Sequence, residues 1–242
     1  MTNALPNFLV VGSTKAGTTS LYNYLKQHPE IYLNEKRKES NFFIEPKEVM
    51  GGGPRFYGVN SYGKSIELYE KLFEDVDISK QKAIGEICTT YLHFSDNAIP
   101  NIKKYLNDPK ILIILRNPIE RAYSYYIHNI RDGDEPLNFE NALEAEAQRK
   151  RDGWWLAFYY KELGCYYSHV KNYLDNFTNV QVLFYEDMKE DINKFMETIF
   201  SFLDVSQISL NTNQKFNLSG IPKNQLIHNL IHKNNFSGKV LM

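Results

Sequence analysis

The sequence predicts an α/β fold in which a central, mostly parallel sheet is flanked by helices in three layers. Two observations support this fold. Apolar runs rich in β-branched residues alternate with segments of helical periodicity, and a glycine-containing loop leads from the first run into a helix. With 242 residues and 43% hydrophobic content, the chain can form one sizeable core. We therefore expect a single domain over residues 1–242.

Each element has a local signal. The predicted strands are apolar, β-branched runs bounded by turn residues, at 8–11, 83–87, 111–115 and 180–184. The predicted helices follow apolar positions at helical spacing, at 18–27, 65–73, 119–131, 139–149, 155–176 and 190–203. Irregular stretches at 34–59, which is glycine-rich at 51–53, and at 132–136 interrupt this pattern. They are either walls of an acceptor pocket or flexible surface loops.

Composition excludes several functions. The net charge is −1, which favours neither a nucleic-acid partner nor a membrane surface. Cys88 and Cys165 are the only cysteines, and no His or Cys pair has metal-ligand spacing, so we expect no disulfide framework and no metal. The first residues lack a secretory pattern, and no stretch approaches the roughly 20 apolar residues of a membrane span. We expect a soluble, cytoplasmic protein.

The loop after the first strand is P-loop-like and predicts a phosphate site. Gly12 and Gly17 have the GxxxxG spacing of a nucleotide-binding loop, but Lys15 lies inside the loop and Thr18 stands where an NTPase has lysine. Backbone N–H groups, the helix dipole and hydroxyls would bind the anion. The predicted phosphate-binding residues are Lys15, Ala16, Gly17, Thr18, Thr19 and Ser20. The alternative is an ordinary turn with threonine caps.

A second anion-binding element follows the strand at 111–115. An NTPase strand at this place ends in Asp, which holds Mg²⁺, whereas this one is followed by Arg116. Arg121 and Ser124 are three residues apart and share a helix face, so they can bind a second phosphate with Arg116. Two anion sites without a metal-binding carboxylate suit sulfuryl transfer. Alternatively, the arginines are solvated or pair with acids such as Glu120.

With these motifs, the sequence resembles sulfotransferases that use 3′-phosphoadenosine 5′-phosphosulfate (PAPS) and release adenosine 3′,5′-bisphosphate (PAP). It is more similar to the bacterial and glycan-sulfating branch, which includes heparan-type enzymes, than to the phenol and steroid branch. The 5′-phosphosulfate loop matches residues 15–20, and the 3′-phosphate element R-x-P-x-x-R-x-x-S matches residues 116–124. Weaker matches extend the resemblance to about residues 7–222.

The resemblance implies roles at the reacting centre. Glu39, three residues before Phe42, has the place of the catalytic base, and apolar neighbours would raise its pKa; the alternative is an exposed acid in a charged run. Lys15 would stabilise the leaving phosphate. His93 is a rival base, because the phenol-sulfating branch uses a histidine after the corresponding strand, although a structural role is also open.

The sequence departs from the family pattern at two places. Relatives commonly have a lysine after Gly-Glu, where this chain has Ile87, so that contact is absent or comes from Lys36, Lys38 or Lys82. The sequence also ends soon after residues 217–222, which match the family, whereas relatives usually continue with basic residues and a final helix. We therefore expect either a truncated sequence or a short form, with Lys223 as a candidate substitute contact.

Three functions follow from the sequence. The first is a PAPS-dependent sulfotransferase acting on a hydroxyl or amine of a sugar, lipid or secondary metabolite. The second is a P-loop kinase or NTPase, which the displaced lysine and the missing Asp oppose. The third is a non-catalytic module that binds adenosine bisphosphate. The acceptor, either a small molecule or a glycan, and the oligomeric state cannot be identified from the sequence.

Overall fold

The computed structural model describes residues 4–45, 50–54, 57–58 and 65–212. The strands are β1 (Phe8–Gly12), β2 (Ile31–Leu33), β3 (Met50–Gly51), β4 (Tyr57–Gly58), β5 (Ala83–Ile87), β6 (Lys110–Leu115) and β7 (Val180–Phe184). The helices are α1 (Thr18–Leu25), α2 (Ile66–Glu70), α3 (Thr90–His93), α4 (Ser95–Leu106), α5 (Pro118–Arg131), α6 (Phe139–Arg151), α7 (Tyr167–Asn176), α8 (Tyr185–Glu190) and α9 (Ile192–Phe202). Single 3₁₀ turns cover Lys71–Phe73, Leu156–Phe158 and Glu162–Gly164.

The main sheet has five parallel strands in the order β2-β5-β1-β6-β7, while β3 and β4 form a separate pair. The predicted fold class is confirmed. The connection after β1 leads to one side of the sheet, where β2 and β5 lie, and the connection after its neighbour β6 leads to β7 on the other side, so the switch point lies at the carboxyl ends of β1 and β6. Ligands bind at this place in open α/β sheets.

Apolar residues cover both faces of the sheet. All five residues of β1 are buried, and Phe8 and Val10 pack with α1 and α9 in one core cluster. Leu9 and Val11 alternate with them and are also fully buried, which requires cover on the opposite face. Phe8 pairs with Gly85 on β5, where a Cβ would lie 2.1 Å from the Phe8 ring, so only glycine fits there.

The described chain forms two compact units. Of the described residues, the first contains 4–45, 50, 58, 65–117 and 165–212, and the second contains 51–54, 57 and 118–164. The second unit has its own apolar cluster around Phe158 and Tyr160. A buried ion pair joins Arg149 to Glu135, with nitrogen to oxygen distances of 2.7 Å. The single domain over 1–242 stays a prediction.

Most predicted elements are present, and the exceptions have local causes. The helix predicted at 155–176 is wrong over its first half, which forms two 3₁₀ turns before α7. There the Glu146 carboxylate accepts the N–H groups of Lys161 and Glu162, which a continuous helix would use internally. Sequence reasoning missed the short strands β2, β3 and β4 and the helices α3, α4 and α8, and α4 contains Pro100 within it.

Candidate active site

Residues 13–17, the phosphate loop, connect β1 to α1 and are shaped by backbone contacts. Ser13 donates from its N–H and its hydroxyl to the Ile114 carbonyl, at 2.7 and 3.1 Å, which ties the loop to β6. Gly17 has a φ of 80°, and a Cβ there would lie 2.8 Å from the Tyr185 ring. Both the left-handed backbone and the lack of space require glycine.

The first turn of α1 offers donors to an anion. Gly17 is the N-cap and no described side chain caps the helix, so the first N–H groups have no acceptor within α1. Thr18 is buried, whereas Thr19 and Ser20 are partly exposed; Ala16 is fully buried behind the loop. Backbone N–H groups, hydroxyls and the helix dipole all favour negative charge, so this donor set fits a phosphate.

Two predicted cations lie together at this edge of the sheet. The Arg116 guanidinium donates to the Lys15 carbonyl at 3.1 Å and stacks over the Tyr185 ring, 4.6 Å from its centroid. The Tyr166 hydroxyl donates to the Arg116 carbonyl at 3.0 Å. Lys15 is partly exposed and has a φ of 66°. The structure therefore unites the two separate sequence motifs at residues 15 and 116.

Arg121 and Ser124 belong to the second unit. Both lie on α5, which begins at Pro118, and both are buried. The Arg121 guanidinium donates to the Tyr160 carbonyl. Binding of a 3′-phosphate by these two residues stays a prediction.

Glu39 is linked to the first turn of α1 through Lys38, which contacts both Glu39 and Thr19. The Thr89 hydroxyl, just beyond β5, donates to its two carboxylate oxygens at 3.3 and 3.4 Å, and the Lys38 ammonium is 3.9 Å from Oε1. The carboxylate is about a third exposed. Burial raises the pKa of Glu39, and the Lys38 charge and the Thr89 hydroxyl offset only part of that rise. This is the direction expected for a general base.

The segment that carries Glu39 is held by β5 and the residues after it. Ser40 donates to the Glu86 carboxylate from its N–H at 3.1 Å and from its hydroxyl at 2.5 Å. The next residue, Asn41, has a φ of 55° and accepts from the Thr90 hydroxyl at 2.6 Å. The backbone on the C-terminal side of Glu39 is therefore fixed by buried hydrogen bonds.

Glu86 is a buried carboxylate without a cationic partner among the contacts that the structure describes. Besides Ser40, the hydroxyls of Tyr69 and Tyr91 donate to it at 2.7 and 3.1 Å. Burial raises the pKa of Glu86, and these neutral donors lower it in part. The carboxylate links β5, α2 and α3 to the segment at residues 39–41.

Three lysines were candidates for the contact that is missing at Ile87, and the structure separates them. Lys38 donates to the Thr19 hydroxyl on α1 at 3.1 Å. Lys36 pairs with Glu74 and Asp75. Lys82 precedes β5, at the end of that strand opposite to Thr89, and pairs with Glu30. Ile87 is buried in the core. Of the three, only Lys38 contacts α1 in the described structure.

His93 has a different neighbourhood from that of Glu39. It ends α3, and its ring lies 5.3 Å from the ring of His169 on α7 and 4.8 Å from that of Phe94. His169 in turn shares a hydrogen bond with Ser95 at 3.1 Å. These contacts fit a structural role, and a catalytic role for His93 stays a prediction.

Sequence reasoning missed the partners of Glu39. Thr89 donates to the Glu39 carboxylate, while Glu86 and Thr90 hold the next two residues of the chain, and no spacing along the sequence reveals these contacts between distant segments. The adjacent threonines shortly after β5 were the available signal. The glycine-rich stretch is bound in the second unit, where Gly52 exchanges backbone hydrogen bonds with Gly153 and Trp155. Lys223 lies outside the described residues.

Across the described ranges, no group of three His, Cys, Asp or Glu side chains is arranged to hold a metal ion. No helix there has the length and apolar character needed to cross a bilayer.

Comparison with known proteins identifies the class. The family model described as "Sulfotransferase domain" matches residues 5–232, so this chain belongs to the sulfotransferase domain family. A crystal structure of a sulfotransferase from Alicyclobacillus acidocaldarius is 35% identical, with a TM-score of 0.76 over 88% of this chain and 87% of that one.

Two curated relatives are longer proteins. The membrane-associated sulfotransferase kil1 of Dictyostelium discoideum is 35% identical over 59% of this chain and 28% of its own length. The bifunctional heparan sulfate N-deacetylase/N-sulfotransferase 4 of Mus musculus is 29% identical over 84% of this chain and 22% of its own length. The chain thus spans about a quarter of the length of these relatives.

Proposed function

We propose that this protein transfers a sulfuryl group from PAPS to a hydroxyl or amine of a sugar-type acceptor. One observation carries the proposal: Lys38 contacts both the candidate base Glu39 and Thr19 in the anion-binding first turn of α1. The proposed proton acceptor Glu39 and the proposed phosphate site at the first turn of α1 therefore form one continuous site. The donor supplies an activated sulfuryl group. The donor set around the phosphate loop, which contains cations, N–H groups and hydroxyls, fits its 5′-phosphate.

The residues would divide the work as follows. Glu39 accepts the proton of the attacking hydroxyl or amine, and its raised pKa makes it a stronger base than an exposed glutamate. The new bond forms at sulfur while the bond to the phosphate oxygen breaks and its electron pair stays on that oxygen. Lys15 and the first turn of α1 stabilise this charge. Arg116 would bind the 3′-phosphate, and Arg121, Ser124 and Lys223 stay predicted contacts of the donor.

The sugar class of acceptor is supported by a relative. The similar mouse protein carries heparan sulfate and N-sulfotransferase in its name, and the similarity covers most of this chain. A glycan amine or hydroxyl is therefore the first acceptor class to test, and lipid and small aromatic alcohols are the comparison classes.

The test begins with donor binding to the full chain. PAP, AMP and ATP with Mg²⁺ are compared by calorimetry and thermal melting. A ligand present at about a thousand times its Kd stabilises the folded state by roughly 4 kcal/mol. We expect this from PAP alone, and we expect Arg116→Ala to remove most of it. A preference for ATP with Mg²⁺ would establish the kinase alternative instead.

Catalysis is tested next. Sulfuryl transfer from labelled PAPS is measured with N-deacetylated heparosan, a steroid alcohol and a phenol. We expect transfer to the glycan. PAP binding without transfer to any acceptor would support the non-catalytic alternative.

A further inference from the structure

Lys38 lies between the two functional parts of the site. Its ammonium donates to Thr19 Oγ1 at 3.1 Å and lies 3.9 Å from Glu39 Oε1. Thr19 belongs to the first turn of α1, where the proposed leaving phosphate binds, and Glu39 is on the side from which the acceptor would attack. An ammonium that reaches both sides is placed where the transferred group must pass.

The surroundings of Lys38 make it a strong anion ligand. Its side chain is about a quarter exposed, and burial lowers the pKa of its ammonium, an effect that the Glu39 charge and the Cys88 thiol oppose in part. The ion pair with Glu39 is long, at 3.9 Å, and Thr19 offers only a neutral acceptor. An incoming anion therefore finds a cation that is desolvated and weakly compensated.

We propose that Lys38 binds the sulfuryl group of the donor and is a catalytic residue, an inference that rests on the proposed function. In this role Lys38 neutralises charge on the sulfuryl oxygens during transfer and leaves the phosphates to Lys15, Arg116 and α1. The residue thus distinguishes the donor PAPS from the product PAP, which lacks the sulfuryl group.

The test compares two ligands rather than activity alone. The affinities of PAPS and PAP are measured by calorimetry without acceptor for the wild type, Lys38→Met, Lys38→Arg and Lys36→Met. Loss of one charge-assisted contact should weaken PAPS about ten- to one-hundred-fold in Lys38→Met and change PAP less than about threefold. Lys38→Arg keeps the charge and should keep most of the PAPS affinity.

Lys36→Met is the matched control, because Lys36 pairs with Glu74 and Asp75 and should affect neither ligand. Equal weakening of both ligands in Lys38→Met, or no weakening, would overturn the inference. Retained PAP binding shows that the variant is folded. If the wild type does not bind PAP, the proposed function itself fails, which is a distinguishable result.

Discussion

The phosphate loop and the Glu39 segment lie at the same edge of the sheet but are held by different means. The loop is fixed largely through backbone groups: the Ile114 and Lys15 carbonyls each accept a contact, and Gly17 provides a left-handed turn. The Glu39 segment is fixed by side chains, through Glu86 to Ser40 and Thr90 to Asn41. The glycines of the backbone-held loop form a readable motif, whereas the side chains that hold the Glu39 segment, Glu86 and Thr90, form no pattern with it along the chain.

The largest expected effect separates the chemistry of these two regions. Glu39→Gln removes the proposed base but keeps its shape, so kcat should fall about 10²- to 10⁴-fold. PAP affinity should not change, because the phosphate loop is intact. Glu35→Gln, which alters an exposed acid four residues earlier, is the control and should keep full activity. An unchanged kcat in Glu39→Gln would remove this residue from the mechanism.

A second substitution tests how the Glu39 segment is held. Glu86→Gln places an amide N–H₂ among four donors, which should lower the free energy of unfolding by about 2 kcal/mol. Because the amide keeps only one accepting oxygen, either Ser40 or Tyr69 loses its acceptor, the Glu39 segment is held less firmly, and kcat should also fall, with PAP affinity changed less than about twofold. Urea unfolding and calorimetry measure these quantities. A loss of PAP affinity equal to the loss in kcat would show that the two regions are not held separately.

The converse substitution tests the loop. Gly17→Ala introduces a Cβ at a φ of 80° and 2.8 Å from the Tyr185 ring, which should cost about 1–3 kcal/mol of folding free energy. PAP affinity should fall with it. Gly153→Ala is a useful control, since this glycine also has a positive φ but has open space around it. If both variants bind PAP like the wild type, the loop does not contact the donor.

The smallest effect concerns pH. Burial raises the pKa of Glu39 in the folded state, so the folded protein holds this proton more tightly than the unfolded chain. Stability is therefore lost as pH rises from the ordinary glutamate pKa through the raised one. Lys38, Cys88 and Thr89 face the group and remain in the variant. Glu39→Gln should unfold at higher urea than the wild type near pH 8, with the gap closing near pH 4; a gap independent of pH would contradict the shift.

The fold could be predicted well because its signals are local. The strands at 8–11, 83–87, 111–115 and 180–184 are apolar, β-branched runs, and each is a strand in the structure. The helix predicted over 155–176 failed because the Glu146 carboxylate, a distant group, takes backbone N–H groups that the periodicity could not foresee.

The site was predictable only in part. Lys15 and Arg116 stand in recognisable motifs and come together, whereas only the structure shows that, of the three candidate lysines, Lys38 is the one that contacts α1. The buried link from Glu86 to Ser40 joins residues 46 positions apart, and no pattern along the chain records it. Roles for Arg121, Ser124, His93 and Lys223, and the cytoplasmic location, stay predictions.

The strand order has a consequence for how the family can diversify. The phosphate loop follows β1, and the groups that hold Glu39 follow β5, its immediate neighbour in the sheet. Adjacent strands lie about 4.8 Å apart, a spacing set by backbone hydrogen bonds whatever the side chains are. Under the proposed function, the spacing of these two strands sets the distance between the proton acceptor and the leaving phosphate. Loops that face the acceptor can then change during evolution without changing that distance.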